Sequence, residues 1–187
     1  MKLLSRIVAL LVLAVLVYLV FELPIFWMQL YPLRYREFIV QQAKTNNLDP
    51  ALVAAVIKVE SDFRYDAVSR RDARGLMQLR PNTAKEVALS LGHEIDGDFN
   101  DKLFDPEYNI TLGTRYLAYL LVVFDDNEAQ ALAAYNAGPT KLRGWLEDRV
   151  WDGTWKNREQ IPYPETRSYL GKVQKARQKY ARLYKFD

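Results

Sequence analysis

Fifteen uncharged residues from Ile7 to Phe21 (IVALLVLAVLVYLVF) stand apart from the rest of the chain, where apolar side chains recur mostly at helical spacing. At about 1.5 Å per residue the run reaches only about 22 Å, against about 30 Å for a bilayer core. Leu3, Leu4, Ser5 and Arg6 close most of that gap, because an arginine near the end of a span can extend its guanidinium to the headgroups. A single N-terminal transmembrane helix is therefore expected. No small-x-small cleavage site follows the run, which leads into Glu22, Leu23 and Pro24, so a retained anchor is favoured over a cleaved signal peptide. Lys2 and Arg6 precede it, placing the N-terminus in the cytoplasm and everything after Glu22 outside. Phe26, Trp27 and Tyr31 suit an interfacial aromatic belt or packing on the domain. Residues 1–32 read as anchor and juxtamembrane segment, and residues 33–187 as one outer domain.

Within that domain the start and stop signals are frequent. Tyr35 to Thr45 forms a short helix closed by Asn46-Asn47. Asp49 as cap and Pro50 at the first helical position open a second, which carries Leu52, Val53, Val56 and Ile57 on one stripe and ends near Asp62. Ser69 to Leu79, with Gly75 and then LMQL, predicts a small hairpin or extended segment, and Pro81 restarts helix to about Leu91. Gly92 to Asp101 is polar and reads as loop. Asp105-Pro106 repeats the cap-plus-proline start of a helix running to Phe124, with Ile110, Gly113, Leu117, Leu120 and Leu121 on one face. Glu128 to Tyr135 is a further helix stopped by Asn136, Gly138 and Pro139, and a last long helix follows Pro164 to about Tyr184. The fold class is mainly α with one small hairpin.

Composition narrows the chemistry. The 187 residues are 50% apolar and 26% charged, with no Cys and a single His. Disulfides, thiol nucleophiles and Cys-ligated metals are excluded, and one His argues against a His-based metal site. Carboxylates, hydroxyls and amides remain. The formal charge of +3 is too small to indicate nucleic acid by itself. Between Arg167 and Lys185, however, seven Lys or Arg occur without an acid. Such a helix reads as a solvated face, or as one that meets anionic wall polymer or lipid headgroups. Its expected place outside the cytoplasm removes a DNA-binding reading.

Glu60 follows Ile57 by three residues and Val56 by four, so helical geometry sets its carboxyl on the apolar stripe. It also lies in the last turn, where the negative end of the helix dipole opposes ionisation; desolvation and dipole both push its pKa upward. Glycosidases hold a general acid ready near neutral pH in this way. An acid paired with an Arg at the core margin would show the same spacing. Asp62 points off the stripe and Asp66 lies in the loop, so both read as solvated.

Glu60-Ser61, Gly75-Leu76-Met77-Gln78, Ala134-Tyr135-Asn136-Ala137-Gly138 and Pro164-Glu165-Thr166-Arg167 with Tyr169, in that order and spacing, resemble the family 1 lytic transglycosylases, the soluble-lytic-transglycosylase-like domain. The resemblance runs from about Leu33 to Tyr184, including DPALVAAVIKVESDF and LFDPEYNITLGTRYLAYLL. It implies a lysozyme-like fold and a cofactor-free, metal-free murein lytic transglycosylase acting as a monomer on peptidoglycan glycan strands. In the implied reaction Glu60 is the single catalytic acid. It protonates the oxygen linking MurNAc to GlcNAc, then acts as base on the MurNAc 6-hydroxyl, giving 1,6-anhydroMurNAc without water. The resemblance also implies substrate contacts by Ser69, Gln78, Tyr135, Asn136 and Tyr169, with Met77 and Glu165 structural beside the site. Ser69 could equally cap a turn, and Tyr169 could equally be a core tyrosine. Arg80 stands where many members carry Met, and Arg70-Arg71-Asp72 is unusually charged; both bear on the cleft floor. A hydrolytic goose-type lysozyme and a non-catalytic glycan-binding envelope protein are the alternative readings.

Overall fold

A helix that is apolar on every side belongs at the centre of a helical domain, and α3 (Pro50–Ser61) has that place, with residues 51–57 buried without interruption. The sequence pattern showed one stripe of it; burial extends all round because three alanines among those residues let neighbouring helices approach. The structure, a computed structural model, describes residues 6, 7, 10–15, 18, 19 and 23–186. α1 (Pro24–Leu30) and α2 (Arg36–Thr45) precede the central helix. α4 (Pro81–Ser90), α5 (Phe99–Lys102), α6 (Pro106–Val123), α7 (Glu128–Ala137), α8 (Pro139–Glu147) and α9 (Pro164–Leu183) follow, with a 3-10 turn at Arg158–Gln160 before α9.

α9 is packed along α3, and Leu170, Val173 and Tyr180 join Val53, Val56 and Ile57 in the main core. α4 and α5 build a smaller cluster around Leu79, Val87, Phe99 and Leu112. The two cap signals act as expected, Asp49 and Asp105 accepting backbone N–H groups at 2.8 and 2.7 Å from Ala51 and Tyr108, and Asn127 does the same for α7 at 3.1 Å from Gln130. Arg177 then ties two of those helix starts together, its Nε 2.6 Å from Asp49 and its Nη1 2.7 Å from Glu128.

Three expectations are corrected. The hairpin is absent: among the described residues only two isolated antiparallel bridges occur, Val68 with Arg74 and Arg74 with Leu79. Asp72, Gly75 and Gln78 all have positive φ, so the chain turns every three residues and no ladder can extend. Pro139 does not merely stop α7. With Gly138 at φ 94° as the joint, it occupies the first position of α8 and starts a new helix at once. The loop read over Gly92 to Asp101 contains the single turn α5, anchored by buried Phe99. The stretch read as juxtamembrane contains α1, whose Pro24 occupies a first-turn position. As for the transmembrane helix expected over Ile7 to Phe21, much of that segment lies outside the described residues, and among the described residues no helix is long and apolar enough to cross a membrane.

Gly113 on α6 is a packing requirement. A Cβ there would meet Met77 Sδ at 2.3 Å and Met77 Cβ at 2.8 Å. Gly113→Ala should therefore cost about 1–3 kcal/mol through overpacking, read as a lowered thermal midpoint; an unchanged midpoint would show that Met77 yields freely.

Candidate active site

The loop between α3 and α4 depends on one buried amide. Asn109 of α6 is fully buried; its Oδ1 accepts the Met77 N–H at 2.7 Å, and its Nδ2 donates to the carbonyls of Arg74 at 3.0 Å and Leu103 at 2.8 Å. Gly75 is forced by the same contact, since a Cβ there would lie 2.2 Å from Asn109 Nδ2. The Tyr135 hydroxyl, from α7, donates to the Met77 carbonyl at 2.7 Å. Met77 is thus gripped at both backbone groups while its side chain is buried against Gly113, away from the cleft.

This loop floors a cleft of about 340 Å³. Glu60, Ser69, Gln78, Tyr135, Asn136 and Glu165 all line it, brought together from α3, the loop, the α7–α8 elbow and the start of α9. Glu60 is half-buried in the last turn of α3. Burial pushes its pKa up to about 8; a hydrogen-bonding influence from the Tyr169 hydroxyl pulls it down, and the charge of Glu165 adds to the rise. None of the ion pairs among the described residues involves Glu60. The reading in which an arginine neutralises it therefore fails. Tyr169 is buried beside this carboxyl, and its hydroxyl makes no hydrogen bond within 3.5 Å. The contact with Glu60 is accordingly a long one.

The neutral groups divide their bonding between the chain and the cleft. Ser69 Oγ accepts the N–H groups of Ala73 at 3.0 Å and Arg71 at 3.3 Å, capping the turn and leaving its own O–H to donate. Gln78 Nε2 donates to the carbonyls of Ala67 at 3.0 Å and Gly75 at 2.9 Å. Both partners are carbonyls, so the amide orientation is determined and only Oε1 remains, as an acceptor. Asn136 Oδ1 accepts from the Thr166 hydroxyl at 2.8 Å, joining α7 to the start of α9. Glu165 is not embedded: its side chain is 70% exposed at the rim, and its ion pair with Arg71 spans 4.0 Å between two exposed groups.

Asn109 and Tyr116 escaped the sequence reading. Tyr116 lines the cleft, its ring centroid 5.4 Å from that of Tyr135. Asn109, Gly113 and Tyr116 recur at i, i+4 and i+7, one helical face. An amide and a phenol in that register were the available signal; the longer aliphatic stripe beside it concealed them.

A family model, "Transglycosylase SLT domain", matches residues 37–157. The chain belongs to this SLT family. The matched stretch of the SLT domain holds Glu60, Ser69, Gln78, Tyr135 and Asn136 and ends before Glu165 and Tyr169. The soluble lytic murein transglycosylase of Salmonella typhimurium is 33% identical over 146 residues, covering 76% of this chain and 22% of that protein. Membrane-bound lytic murein transglycosylase C of Shigella sonnei is 33% identical over 169 residues, covering 80% and 47%. Among solved structures, an inactive mutant of the lytic transglycosylase Slt from Pseudomonas aeruginosa superposes with a TM-score of 0.72 at 36% identity, covering 82% of this chain and 25% of that one. The 70 kDa soluble lytic transglycosylase of Escherichia coli gives 0.75 at 29% identity, covering 84% and 25%. The SLT domain here thus spans about a fifth of the length of the soluble relatives it matches.

The electrostatics give opposed predictions for one group. Replacing Glu165→Gln removes a like charge and should lower the Glu60 pKa, whereas Tyr169→Phe removes a donor and should raise it, both read by carboxyl-carbon NMR titration. Equal values in the two variants would contradict the site. Folded Glu60 keeps its proton to about pH 8 while an ordinary glutamate loses it near 4.5. The folded state binds more protons across that interval, so its stability should fall as pH rises through it. Glu60→Gln should remove that fall and melt higher than the parent above about pH 8.

Proposed function

We propose that this SLT-family chain is a murein lytic transglycosylase, cleaving the MurNAc–GlcNAc bond of peptidoglycan glycan strands to leave 1,6-anhydroMurNAc. The observation that carries this is the Glu60 carboxyl, lifted to about 8 by burial and in no ion pair among the described residues, at the wall of an open cleft. A proton held there is available to the glycosidic oxygen at neutral pH. As the leaving sugar departs, positive charge develops on the MurNAc ring, met by the sugar's own N-acetyl group and by cleft dipoles. Glu60, now ionised, takes the proton of the MurNAc 6-hydroxyl as that oxygen closes on C1. Bond and proton counts balance without water. Ser69 supplies a donor and Gln78 an acceptor to sugar polar groups, Tyr135 and Tyr116 offer ring faces, and Asn136 fixes the elbow that presents Tyr135. Tyr169 acts on Glu60 from behind, stabilising the ionised form between the two proton transfers.

The second reading, a hydrolytic lysozyme, draws its support from Glu165, a second carboxyl lining the same cleft. In hydrolysis that group would have to activate water or act as nucleophile. The anchoring of the chain in a membrane by residues 7–21, with the domain on the outer side, belongs to the same proposal. It draws on the apolar run and its flanking charges; that one relative is a membrane-bound enzyme accords with it.

Product analysis on purified sacculi tests the reaction. Anhydro ends are expected, one water lighter than the reducing ends of hydrolysis, and Glu60→Gln should reduce their release by at least 10²-fold, the upper part of the usual span for a lost acid-base group being about 10⁴. Release of reducing ends, or activity surviving Glu60→Gln, would reject the mechanism. Because the acid must start protonated, kcat/KM should decline as pH rises through about 8. Glu165→Gln should keep the anhydro product, whereas an essential second carboxyl would not allow it.

A further inference from the structure

The seven cations between Arg167 and Lys185 are not equivalent. Arg177 turns to Asp49 and Glu128, and Arg167 lies 4.0 Å from Glu159. Lys172, Lys175, Lys179 and Arg182 recur at spacings of three and four, which sets them on a stripe about 80° wide. That stripe lies away from the face of α9 that buries Tyr169, Val173, Ala176 and Tyr180. No ion pair among the described residues involves any of the four.

The segment leading out of the anchor is fastened beside this stripe. Three successive carbonyls, of Leu30, Tyr31 and Pro32, accept from Lys58 Nζ at 2.5 Å, the Tyr184 hydroxyl at 2.8 Å and the Tyr180 hydroxyl at 3.0 Å. Lys179 Nζ lies 3.4 Å from the centre of the Trp27 ring, and the Tyr31 ring meets Tyr180 edge-on at 5.8 Å. Residues 23–32 are therefore splinted onto α9. On their outer side Leu23, Ile25 and Leu30 are 51%, 66% and 47% exposed.

The geometry points to a composite docking surface for an anionic lipid bilayer, in which the apolar side chains of α1 enter the headgroup boundary while the stripe of α9 meets phosphates. The inference rests on the anchored reading of the N-terminal segment. Charge and apolarity together select this occupant, since a polyanionic wall polymer matches the cations but offers nothing to Ile25 and its neighbours. The catalytic domain would then lie against the membrane in one orientation instead of hanging from a loose tether.

The absence of Cys makes the test direct. The full chain carrying Gln178→Cys, an exposed position beside the stripe, is labelled with a nitroxide and reconstituted in phosphatidylcholine vesicles with and without phosphatidylglycerol. Label accessibility should shift from aqueous nickel chelate toward lipid-dissolved oxygen only when phosphatidylglycerol is present. The shift should disappear in high salt and in Lys172→Glu/Lys175→Glu/Arg182→Glu, whose release of anhydro ends from soluble glycan strands should match the parent. Identical accessibility in the two vesicles, persistence of the shift after charge reversal, or a shift produced only by added polyanionic wall polymer would overturn the proposal. Vesicle flotation separates the failures: a chain that fails to float with either lipid removes anchor and docking together, whereas one that floats with an indifferent label removes the docking alone. Loss of anhydro release in the parent would instead reject the enzymatic reading.

Discussion

A carboxylic acid stays protonated at neutral pH only where water is scarce and no cation compensates the charge, and both conditions constrain far more of the chain than Glu60 itself. Scarcity of water comes from the central helix, buried over residues 51–57, which carries the acid out of the core in its final turn. Withholding a cation is harder in a chain with 26 Lys and Arg. Lys58, two residues away, pairs with Asp62 and donates to the Leu30 carbonyl, and Arg74 pairs with Asp72 at 2.9 Å. Of the cations that line the cleft, exposed Arg71 lies 4.0 Å from Glu165 and Lys141 Nζ lies 4.8 Å from the centre of the Tyr163 ring, so both are directed to other groups.

With the acid's charge state fixed by exclusion, the rest of the cleft can act through neutral dipoles. The local chain occupies one bonding capacity of each group and leaves the other for a ligand: Ser69 accepts internally and donates outward, Gln78 donates internally and accepts outward. Preorganised dipoles of this kind need no reorganisation when charge develops on a sugar ring, which is the condition under which they lower a barrier. Asn109 makes that precision possible. Three hydrogen bonds from one buried amide hold a turn whose backbone visits positive φ repeatedly, a conformation with no strand or helix ladder to stabilise it.

The helices and their starts were legible in the sequence because caps, prolines and apolar spacing are local signals. Asp49-Pro50 and Asp105-Pro106 state their helix starts within two residues. Glu60 was legible for a related reason: a charge on an apolar stripe conflicts with its surroundings, and such conflicts mark function. Loop geometry was not legible. The turn residues, Gly75 and LMQL of Ser69 to Leu79 suggested a hairpin or extended segment, while the structure is decided by Asn109, 32 residues from Met77, and by tertiary hydrogen bonds that no local pattern encodes. The placement of Glu165 on the exposed rim escaped for the same reason, since its surroundings come from the α3–α4 loop and not from its own helix.

Glu165 shows how one cleft can contain two carboxyls and still favour a single acid. A like charge near a buried carboxyl makes its ionisation harder. The two differ in exposure, with Glu165 at the rim beside Arg71 and Glu60 half-buried beside Tyr169, and it is Glu60 whose ionisation is resisted. The outer carboxylate raises the inner pKa from a distance, which on the proposed mechanism favours proton donation. It also opposes the return of negative charge to Glu60 after donation, and the Tyr169 hydroxyl acts in the opposite sense. A group that must first give a proton and then take one works best between two such opposed influences. The burial that raises the Glu60 pKa is the same burial that weakens the fold once the acid ionises, so on the proposed mechanism proton donation and alkaline stability are coupled through one side chain.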